Sequence, residues 1–516
     1  MLEALVIVGL ASTLSFLLWW LHRPRGMPPG PPRSFWGDNT LDIPRVKPWE
    51  TFTAWNRKYG PVVSFYLGRK PVIVLGTAQA AWDLLDKRAD IYSARPRSIV
   101  ALSHTGVWRM AQLMQASLSA TASAQYRSLQ SLESKLMLRR LLNLKDDFAY
   151  KSEITLFQMS VIFRLAYGRR VKSLQDEVVL AKIKAGSYFG EPAYKADDMS
   201  CVVNRVHRRV PGKYLVESWP ILLWLPKCLQ WFRRDIDKHR EMDVALYMSL
   251  MHQVRRKMAD GTAQPSMATI ALGKQEEFGL TELETAYTLS GPWDAGVVTT
   301  LVTIDNFLLA MLHHQDAYLK LRDELDEVVG PNRLPEYSDM ESLPYLMAAL
   351  KEVTRWRAAA PTGFPHAVTQ DDVYQGHFIP KGATVYGNIH AITQDPEMFP
   401  EPDVFRPERF LDATNAKLAN FTIPFGFGRR ICPGMHVANQ SIYIAVARIL
   451  WAFDIAPAQD EHGNSILPST TAYTTRLVTG PEPFPVVLKV RGKSVEELIV
   501  LESERAEAEA MRWDVE

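Results

Sequence analysis

Cysteine is scarce in this sequence, which contains only three among 516 residues, at positions 201, 228 and 432. Their wide spacing provides neither a disulfide framework nor the paired cysteines of a zinc site. So low a count is typical of a protein that folds in a reducing compartment such as the cytosol. We interpret Cys201 and Cys228 as structural or incidental residues, and a redox pair is the alternative.

The sequence also lacks a strong net charge and any long basic block. Lys and Arg number 59 against 57 Asp and Glu, which leaves a net charge of +2. This balance gives no reason to expect a nucleic-acid partner. Internal repeats and long low-complexity tracts are absent as well. A chain of this length, 47% hydrophobic and 22% charged, can build one large domain or two to three average ones.

One apolar run is long enough to cross a bilayer. Residues 4–21 carry no charge over 18 positions, which is the length that a membrane-spanning helix needs. Trp19 and Trp20 close the run, where aromatic rings favour the membrane interface, and Arg23 follows it. The sequence therefore predicts a transmembrane anchor at residues 1–22, with everything downstream in the cytosol.

A cleaved secretory signal peptide is the alternative for this run, but the region before it lacks positive charge. The proline-rich segment 27–32 cannot form a helix and predicts a hinge over residues 23–33. We assign residues 34–490 to a single large domain. The acidic, helix-prone end of the chain, residues 491–516, is interpreted as a solvated extension.

Local patterns predict many helices and a few short strands. Residues 61–67 and 72–75 flank a turn and predict a β-hairpin, and Thr77 is placed to cap the helix that follows. Residues 282–330 show one extended helical pattern, interrupted at 290–292 by Ser-Gly-Pro. Periodicity favours the protein core over a membrane-contacting rim for four residues of the middle segment: Trp219, Trp224, Leu225 and Trp231.

The segment 425–434 surrounds Cys432 with glycines and arginines, directly ahead of an apolar helical run. A thiolate is a strong, soft iron ligand and one of the few axial haem ligands that proteins use. Gly428 and Gly434 permit backbone conformations closed to other residues, so the chain can approach a flat macrocycle. Arg430 is suited to a haem propionate, and positive charge nearby would favour the thiolate. The alternative is a buried free cysteine that acts as a small hydrophobe.

This segment resembles the haem-binding signature of the cytochrome P450 family, Phe-x-x-Gly-x-Arg-x-Cys-x-Gly. The residues that match all of its fixed positions are Phe425, Gly428, Arg430, Cys432 and Gly434. The resemblance implies a mainly α-helical fold with small β-sheets. It also implies haem b, held between a long central helix and the cysteine loop, with Cys432 as the axial thiolate.

Residues 295–300, Ala-Gly-Val-Val-Thr-Thr, resemble the family's central-helix motif Ala-Gly-x-Asp-Thr-Thr. The resemblance implies that Ala295 and Gly296 leave room for the haem face. It also implies that Thr299 is catalytic, because its hydroxyl would hold water and relay protons. Ordinary β-branched residues of a buried helix are the alternative for Thr299 and Thr300.

The sequence departs from the family's pattern at two functional positions. Val298 stands where the motif has its acid, and Asp294 lies about 140° away from Thr299 around the helix, too far to replace it directly. Trp108 resembles the start of the family's Trp-x-x-x-Arg helix, whose tryptophan and arginine meet haem propionates. Gln112 replaces that arginine, and the loop before Trp108 is shortened.

Glu352 and Arg355 are one helical turn apart and resemble the family's Glu-x-x-Arg motif. The resemblance implies that Arg409 joins them in a buried cluster behind the haem, with a structural role. His366 matches a position that in the family often hydrogen-bonds a propionate, and an ordinary satisfied polar histidine is the alternative.

As a whole, the resemblance implies a monooxygenase of the endoplasmic reticulum membrane with a cytosolic catalytic domain. It would insert one oxygen atom from O₂ into an apolar small molecule, using electrons from NADPH–cytochrome P450 reductase. Residues 357–403 look most like fungal microsomal members, which suggests secondary-metabolite biosynthesis. Two alternatives remain open: coupling, dehydration or peroxide-driven chemistry, and a degenerate, non-catalytic haem-binding paralogue.

Overall fold

A computed structural model describes most of the chain. The described ranges are 25–34, 38–44, 46–96, 107–181, 220–231, 233–411, 415–474 and 477–515. The predicted anchor at 1–22, the first two hinge residues, Cys201 and Trp219 lie outside these ranges.

The described residues form a mainly helical structure. Its α-helices are α1 (Pro48–Tyr59), α2 (Ala78–Ala81, continued by a π-helical turn Trp82–Lys87), α3 (Ala89–Tyr92), α4 (Val107–Leu118), α5 (Ala120–Ala124), α6 (Arg127–Leu141), α7 (Tyr150–Tyr167), α8 (Arg233–Ala259), α9 (Met267–Gly273), α10 (Gln275–Phe278), α11 (Glu282–His313), α12 (Gln315–Val328), α13 (Pro344–Trp356), α14 (Ile389–Thr393), α15 (Ala416–Ala419), α16 (Met435–Ala452) and α17 (Lys493–Val515).

Three small sheets accompany the helices. Their strands are β1 (Val62–Leu67), β2 (Lys70–Leu75), β3 (His366–Ala367), β4 (Asp372–Tyr374), β5 (His377–Ile379), β6 (Thr384–Gly387), β7 (Phe453–Gln459), β8 (Ser465–Ile466) and β9 (Val486–Val490). The first sheet has the order β1-β2-β6-β3, and the predicted hairpin is its antiparallel β1–β2 pair. Strand β6 joins β2 in parallel and so connects segments about 310 residues apart in the chain. The other sheets are β4-β5 and β8-β7-β9.

Helix α11 is the central element of the fold. Thr281 caps it through a capping box with Glu284. Among the described residues, α11 is the one helix that is long and apolar enough to span a membrane. However, 83% of its most apolar 18-residue window is buried, as expected of a core helix. Trp293 stacks edge-on against Phe163 of α7, with ring centroids 4.3 Å apart. The second half of α11 packs with α6, α7, α12, α13 and α16 in the largest apolar cluster.

The predicted interruption at residues 290–292 is wrong. Helix α11 runs through Pro292 and ends at His313, and α12 begins two residues later. A proline inside a helix removes one backbone hydrogen bond and usually bends or ends the helix. Pro292 and Trp293 are both buried here, so packing around the proline holds the helix together against this local cost.

The C-terminal helix α17 packs against α6, so its interpretation as a solvated extension is also wrong. One face of α17 is buried, and its members are Val495, Ile499, Ser503, Ala506 and Ala510. Two ion pairs tie α17 to the domain: Lys135 with Glu502 at 2.8 Å, and Arg170 with Glu507 at 2.9 Å. The acidic residues seen in the sequence lie on the faces around this buried stripe.

The tryptophans of the middle segment that the structure describes do not join the core. Trp224 is 85% exposed and Trp231 is 57% exposed, and Leu225 is only partly buried. Core packing was therefore the wrong choice for the two tryptophans.

Candidate functional site

Cys432 lies in a loop between a 3₁₀ turn, Ile423–Phe425, and helix α16. Its backbone N–H donates a hydrogen bond of 2.8 Å to the Phe425 carbonyl, which closes the loop on itself. A second 3₁₀ turn, Gly428–Arg430, forms the bend between these two residues. Cys432 is partly buried, and the helix α16 that follows it is almost wholly buried.

Gly428 is required by both backbone conformation and space. Its φ of +55° is in the left-handed region, and a Cβ placed on it would lie 2.0 Å from the carbonyl oxygen of Leu85. Its N–H also donates to the Asp86 carboxylate. Gly434 differs from the expectation, because its φ of −86° is open to any residue. It caps α16, and a Cβ there would only touch the Cys432 sulfur at 4.0 Å.

Burial raises the pKa of the Cys432 thiol above its usual value. The groups that oppose this are the backbone N–H groups of Gly434 and Met435, at the start of α16, which hydrogen-bond the sulfur. The expected contribution of nearby arginines to the thiol's pKa is not seen. In this chain the start of a helix, rather than side-chain charge, opposes the larger effect of burial on the thiol's pKa.

Three basic side chains gather beside the cysteine loop. Arg430 donates through Nε to the carbonyl of Ser93 at 2.7 Å. Buried His366 donates through Nδ1 to the carbonyl of Tyr92 at 2.8 Å. Arg95 donates to the carbonyl that precedes His366. Sequence reasoning identified Arg430 and His366 but missed Arg95, which belongs to no motif and joins the other two only through the fold.

We call these three residues, Arg95, His366 and Arg430, the basic cluster. Within the described part of the chain, no acidic group shifts the pKa of any of them. Burial, followed by repulsion from Arg430, lowers the pKa of Arg95 to about 10. Burial and the same arginines lower the pKa of His366 to about 4, so the ring is neutral at pH 7. Two guanidinium groups without a counter-charge fit carboxylates such as those of a haem. A carboxylate beside His366 would favour the protonated ring, whose Nε2–H can then donate to it while Nδ1–H stays on the Tyr92 carbonyl.

Helix α11 presents an accessible strip within an otherwise buried stretch. Ala295 is exposed and Thr299 half-buried, one turn apart on the same face. The Thr299 hydroxyl donates to the Ala295 carbonyl at 2.8 Å, so its oxygen can still accept a hydrogen bond. A Cβ on Gly296 would lie 2.8 Å from Cδ1 of Ile162, so the missing side chain lets α7 approach closely.

Val298, which stands where the central-helix motif has an acid, and Asp294 both lie close to this strip in the helix. Val298 is 7% exposed and belongs to an apolar cluster. A buried apolar side chain therefore occupies the position where the motif has an acid. Asp294 accepts long hydrogen bonds from Tyr247 at 3.3 Å and from Ser290 at 3.4 Å. Its carboxylate therefore contacts α8 and the preceding turn of α11.

Glu352, Arg355 and Arg409 meet in a buried cluster. Arg355 binds both oxygens of Glu352, at 2.6 and 2.8 Å, and neither side chain has accessible surface. Arg409 reaches Oε1 of Glu352 at 3.3 Å, and the Arg406 backbone N–H reaches the same oxygen at 2.8 Å. Arg355 also donates to the Thr393 carbonyl, so the cluster joins α13 to α14 and to the segment around Arg406.

The remaining sequence-predicted positions lie in or near α4. Trp108 is in the first turn of this helix, but its side chain is outside the described part of the structure. Gln112 is exposed. Within the described residues, no group of three or more His, Cys, Asp and Glu side chains is placed to hold a metal ion. A metal at Cys432 would therefore need most of its ligands from a cofactor.

A partly buried cysteine at the start of a buried helix, in a chain whose central helix carries an accessible threonine, is typical of the haem-thiolate class. The family model described as Cytochrome P450 matches residues 28–486. The chain belongs to the cytochrome P450 family, whose members hold haem through a cysteine thiolate. Helix α17 begins beyond the matched residues.

Fungal relatives cover nearly the full length of the chain. Cytochrome P450 monooxygenase 58 of Postia placenta is 35% identical, over 89% of this chain and 88% of its own. A cytochrome P450 monooxygenase of Armillaria gallica is 33% identical over 98% and 97%. Cytochrome P450 monooxygenase FrzL of a Cladobotryum species is 34% identical over 92% and 89%. The protein is accordingly an enzyme, an oxidoreductase of the monooxygenase type.

Proposed function

We propose that this protein is a haem-thiolate monooxygenase with haem b bound through Cys432. It inserts one oxygen atom from O₂ into an apolar small molecule, in secondary-metabolite biosynthesis. Its electrons come from NADPH–cytochrome P450 reductase. The names of the fungal relatives support the reaction class, and the fungal-like sequence supports the biosynthetic role.

The observation that carries the proposal is the basic cluster beside the cysteine loop. Arg95, His366 and Arg430 would hold the haem propionates, with Trp108 as a further donor. Neighbouring guanidinium groups without a carboxylate partner repel each other, and an anion that joins them removes this cost; a haem brings two carboxylates.

Each remaining site residue has a definable task. Phe425, Gly428 and Gly434 shape the loop that presents the Cys432 sulfur. Thr299 would hold water at the accessible strip of α11 and relay protons there. Haem, when bound, supplies oxygen activation, and electron donation from its thiolate ligand favours O–O cleavage.

Glu352, Arg355 and Arg409 would fix the backbone that supports the loop, without contact with the reacting atoms. The N-terminal run, residues 1–22, would anchor the enzyme as a single span in the endoplasmic reticulum membrane, followed by the hinge at 23–33. The domain at 34–490 would then lie in the cytosol beside its reductase.

Reduced-CO difference spectroscopy tests the axial ligand. The wild-type protein should show the red-shifted band typical of the family, and Cys432→Ala should lose it. Cys228→Ala is the matched control, because Cys228 is an exposed free cysteine outside the site. A normal band in Cys432→Ala, or no haem uptake by the wild-type protein, would overturn the proposal.

Coupling, dehydration or peroxide-driven chemistry is a second candidate, favoured by the apolar environment of Val298. A reaction that needs fewer protons would tolerate a valine where the motif has an acid. Consumption of NADPH and O₂ with a purified reductase should separate the two candidates. Product formation with hydrogen peroxide but not with NADPH would favour the second.

A further inference from the structure

The threonines of α11 follow a common pattern with one exception. Thr285, Thr288, Thr299 and Thr303 each donate their hydroxyl to the carbonyl four residues earlier. Thr300 does not, although its side chain is only 1% exposed. Within the described part of the chain, its hydroxyl has no hydrogen-bond partner.

The reason for the exception is Gln158 of α7. The acceptor that Thr300 would use is the carbonyl of Gly296, and the side-chain amide of Gln158 donates to that oxygen at 3.1 Å. A carbonyl has two lone pairs, and the helix's own backbone N–H uses the other one. Gln158 therefore excludes the Thr300 hydroxyl from the helix backbone.

A second buried group at the same place lacks a partner. Gln158 is 1% exposed, and its own carbonyl oxygen, Oε1, makes no hydrogen bond within the described residues. An unsatisfied buried polar atom costs about 1–3 kcal/mol, so a core position that leaves two of them is not explained by stability. Thr300 directly follows Thr299 in the chain, and Gln158 holds a carbonyl of the same helical turn.

We propose that Gln158 is a positioning residue for Thr299. Its amide fixes the turn 295–300 by holding the Gly296 carbonyl, and it leaves the Thr300 hydroxyl and its own Oε1 free of hydrogen bonds to the helix backbone. These two groups then take part in the hydrogen bonding that a carboxylate at position 298 would provide. This chain has a valine there. The link to proton delivery rests on the proposed function, whereas the link to helix geometry does not.

Amide hydrogen exchange tests the geometric link without turnover. In haem-loaded protein, Gln158→Leu keeps the volume but removes the donor, so exchange at residues 299–301 should rise by about fivefold or more. Ile162→Val is the matched control, since it removes a methyl group from the same helix contact and keeps the amide. Equal exchange rates in the two variants would overturn the positioning role.

Gln158→Glu provides a pH-dependent rescue that a purely structural role would not give. Below the pKa of the new carboxyl, which burial raises, its O–H donates to the Gly296 carbonyl as the amide does. Above that pKa the carboxylate has no hydrogen to donate. The ratio of the variant's exchange rate to that of the wild type at residues 299–301 should therefore be near one at low pH and rise with pH. A pH profile parallel to that of the wild type would overturn the proposal.

Hydrogen peroxide released per NADPH, measured with a purified reductase, tests the catalytic link. Gln158→Leu and Thr300→Val should each raise this ratio by about threefold or more, because protons no longer arrive in step with electrons. Ile162→Val should stay near the wild-type ratio. A wild-type ratio in Thr300→Val would overturn the role of its hydroxyl. The reduced-CO band reports separately on whether the proposed function holds.

Discussion

At the scale of single residues, the buried pair of Glu352 and Arg355 gives the sharpest stability test. Arg355→Leu leaves the carboxylate of Glu352 without its bidentate partner in a position with no accessible surface. We expect a loss of about 3–5 kcal/mol in the free energy of unfolding, measured in urea. Lys493→Ala removes one partner of an exposed pair and should change it by less than about 0.5 kcal/mol.

Alanine variants of Gly428 and Gly463 separate the destabilising effect of backbone strain from that of steric overlap. Gly428→Ala should prevent formation of the cysteine loop, because the new Cβ would meet the Leu85 carbonyl. Gly463→Ala is the control, since its φ of +79° is also left-handed but no atom is within 4 Å of the new Cβ. It should cost only about 1–2 kcal/mol. Similar unfolding curves and haem contents for the two variants would contradict this explanation.

At the scale of elements, helix α17 is the feature that sequence reasoning described least well. A net acidic composition predicts solvation, but Ala506 and Ala510 are small residues that fit against Leu132 and Leu136 of α6. The buried stripe follows a helical period, and only the position of α6 identifies it as a contact surface.

Ala506→Glu should separate α17 from α6. A long, charged side chain in this contact would cost about 2–4 kcal/mol of unfolding free energy. Ala508→Glu, on the exposed face of the same helix, should leave stability within about 0.5 kcal/mol. Differential scanning calorimetry would measure both. Equal melting temperatures would indicate that α17 does not stabilise the domain.

The central helix shows the same limit of local reasoning. Ser-Gly-Pro at 290–292 is a strong local signal for a break, and the helix continues because tertiary contacts outweigh one missing hydrogen bond. The hairpin β1–β2 and the Thr77 cap were predicted correctly, because both depend on residues adjacent in the chain.

At the scale of the whole molecule, the partly buried His390 predicts how stability depends on pH. Burial, then Arg357 and Arg57, lower the pKa of His390 to about 4, and the opposing effect of Asp403 is smaller. The unfolded state therefore binds a proton more readily than the native state between pH 6.5 and 4. Stability from His390 is fully present above pH 6.5 and is lost as pH falls towards 4.

His390→Gln removes this titration and can keep a hydrogen bond to Thr53. Over that pH range, the unfolding free energy of the wild type should fall more steeply than that of the variant. The difference should approach about 1.4 kcal/mol per pH unit, the value for one proton. Urea unfolding at several pH values would measure it, and parallel curves would contradict the prediction.

The family and the fold class could be predicted from sequence motifs alone, because the cysteine motif, the central-helix motif and Glu-x-x-Arg are short and depend on near neighbours. The sequence also identified Cys432, His366 and Arg430 as candidates. Only the tertiary structure placed Arg95 beside them, docked α17 on α6, and brought Gln158 to the Gly296 carbonyl. Those contacts join residues more than a hundred positions apart or lie between helix faces, and their partners are set by packing rather than by local pattern.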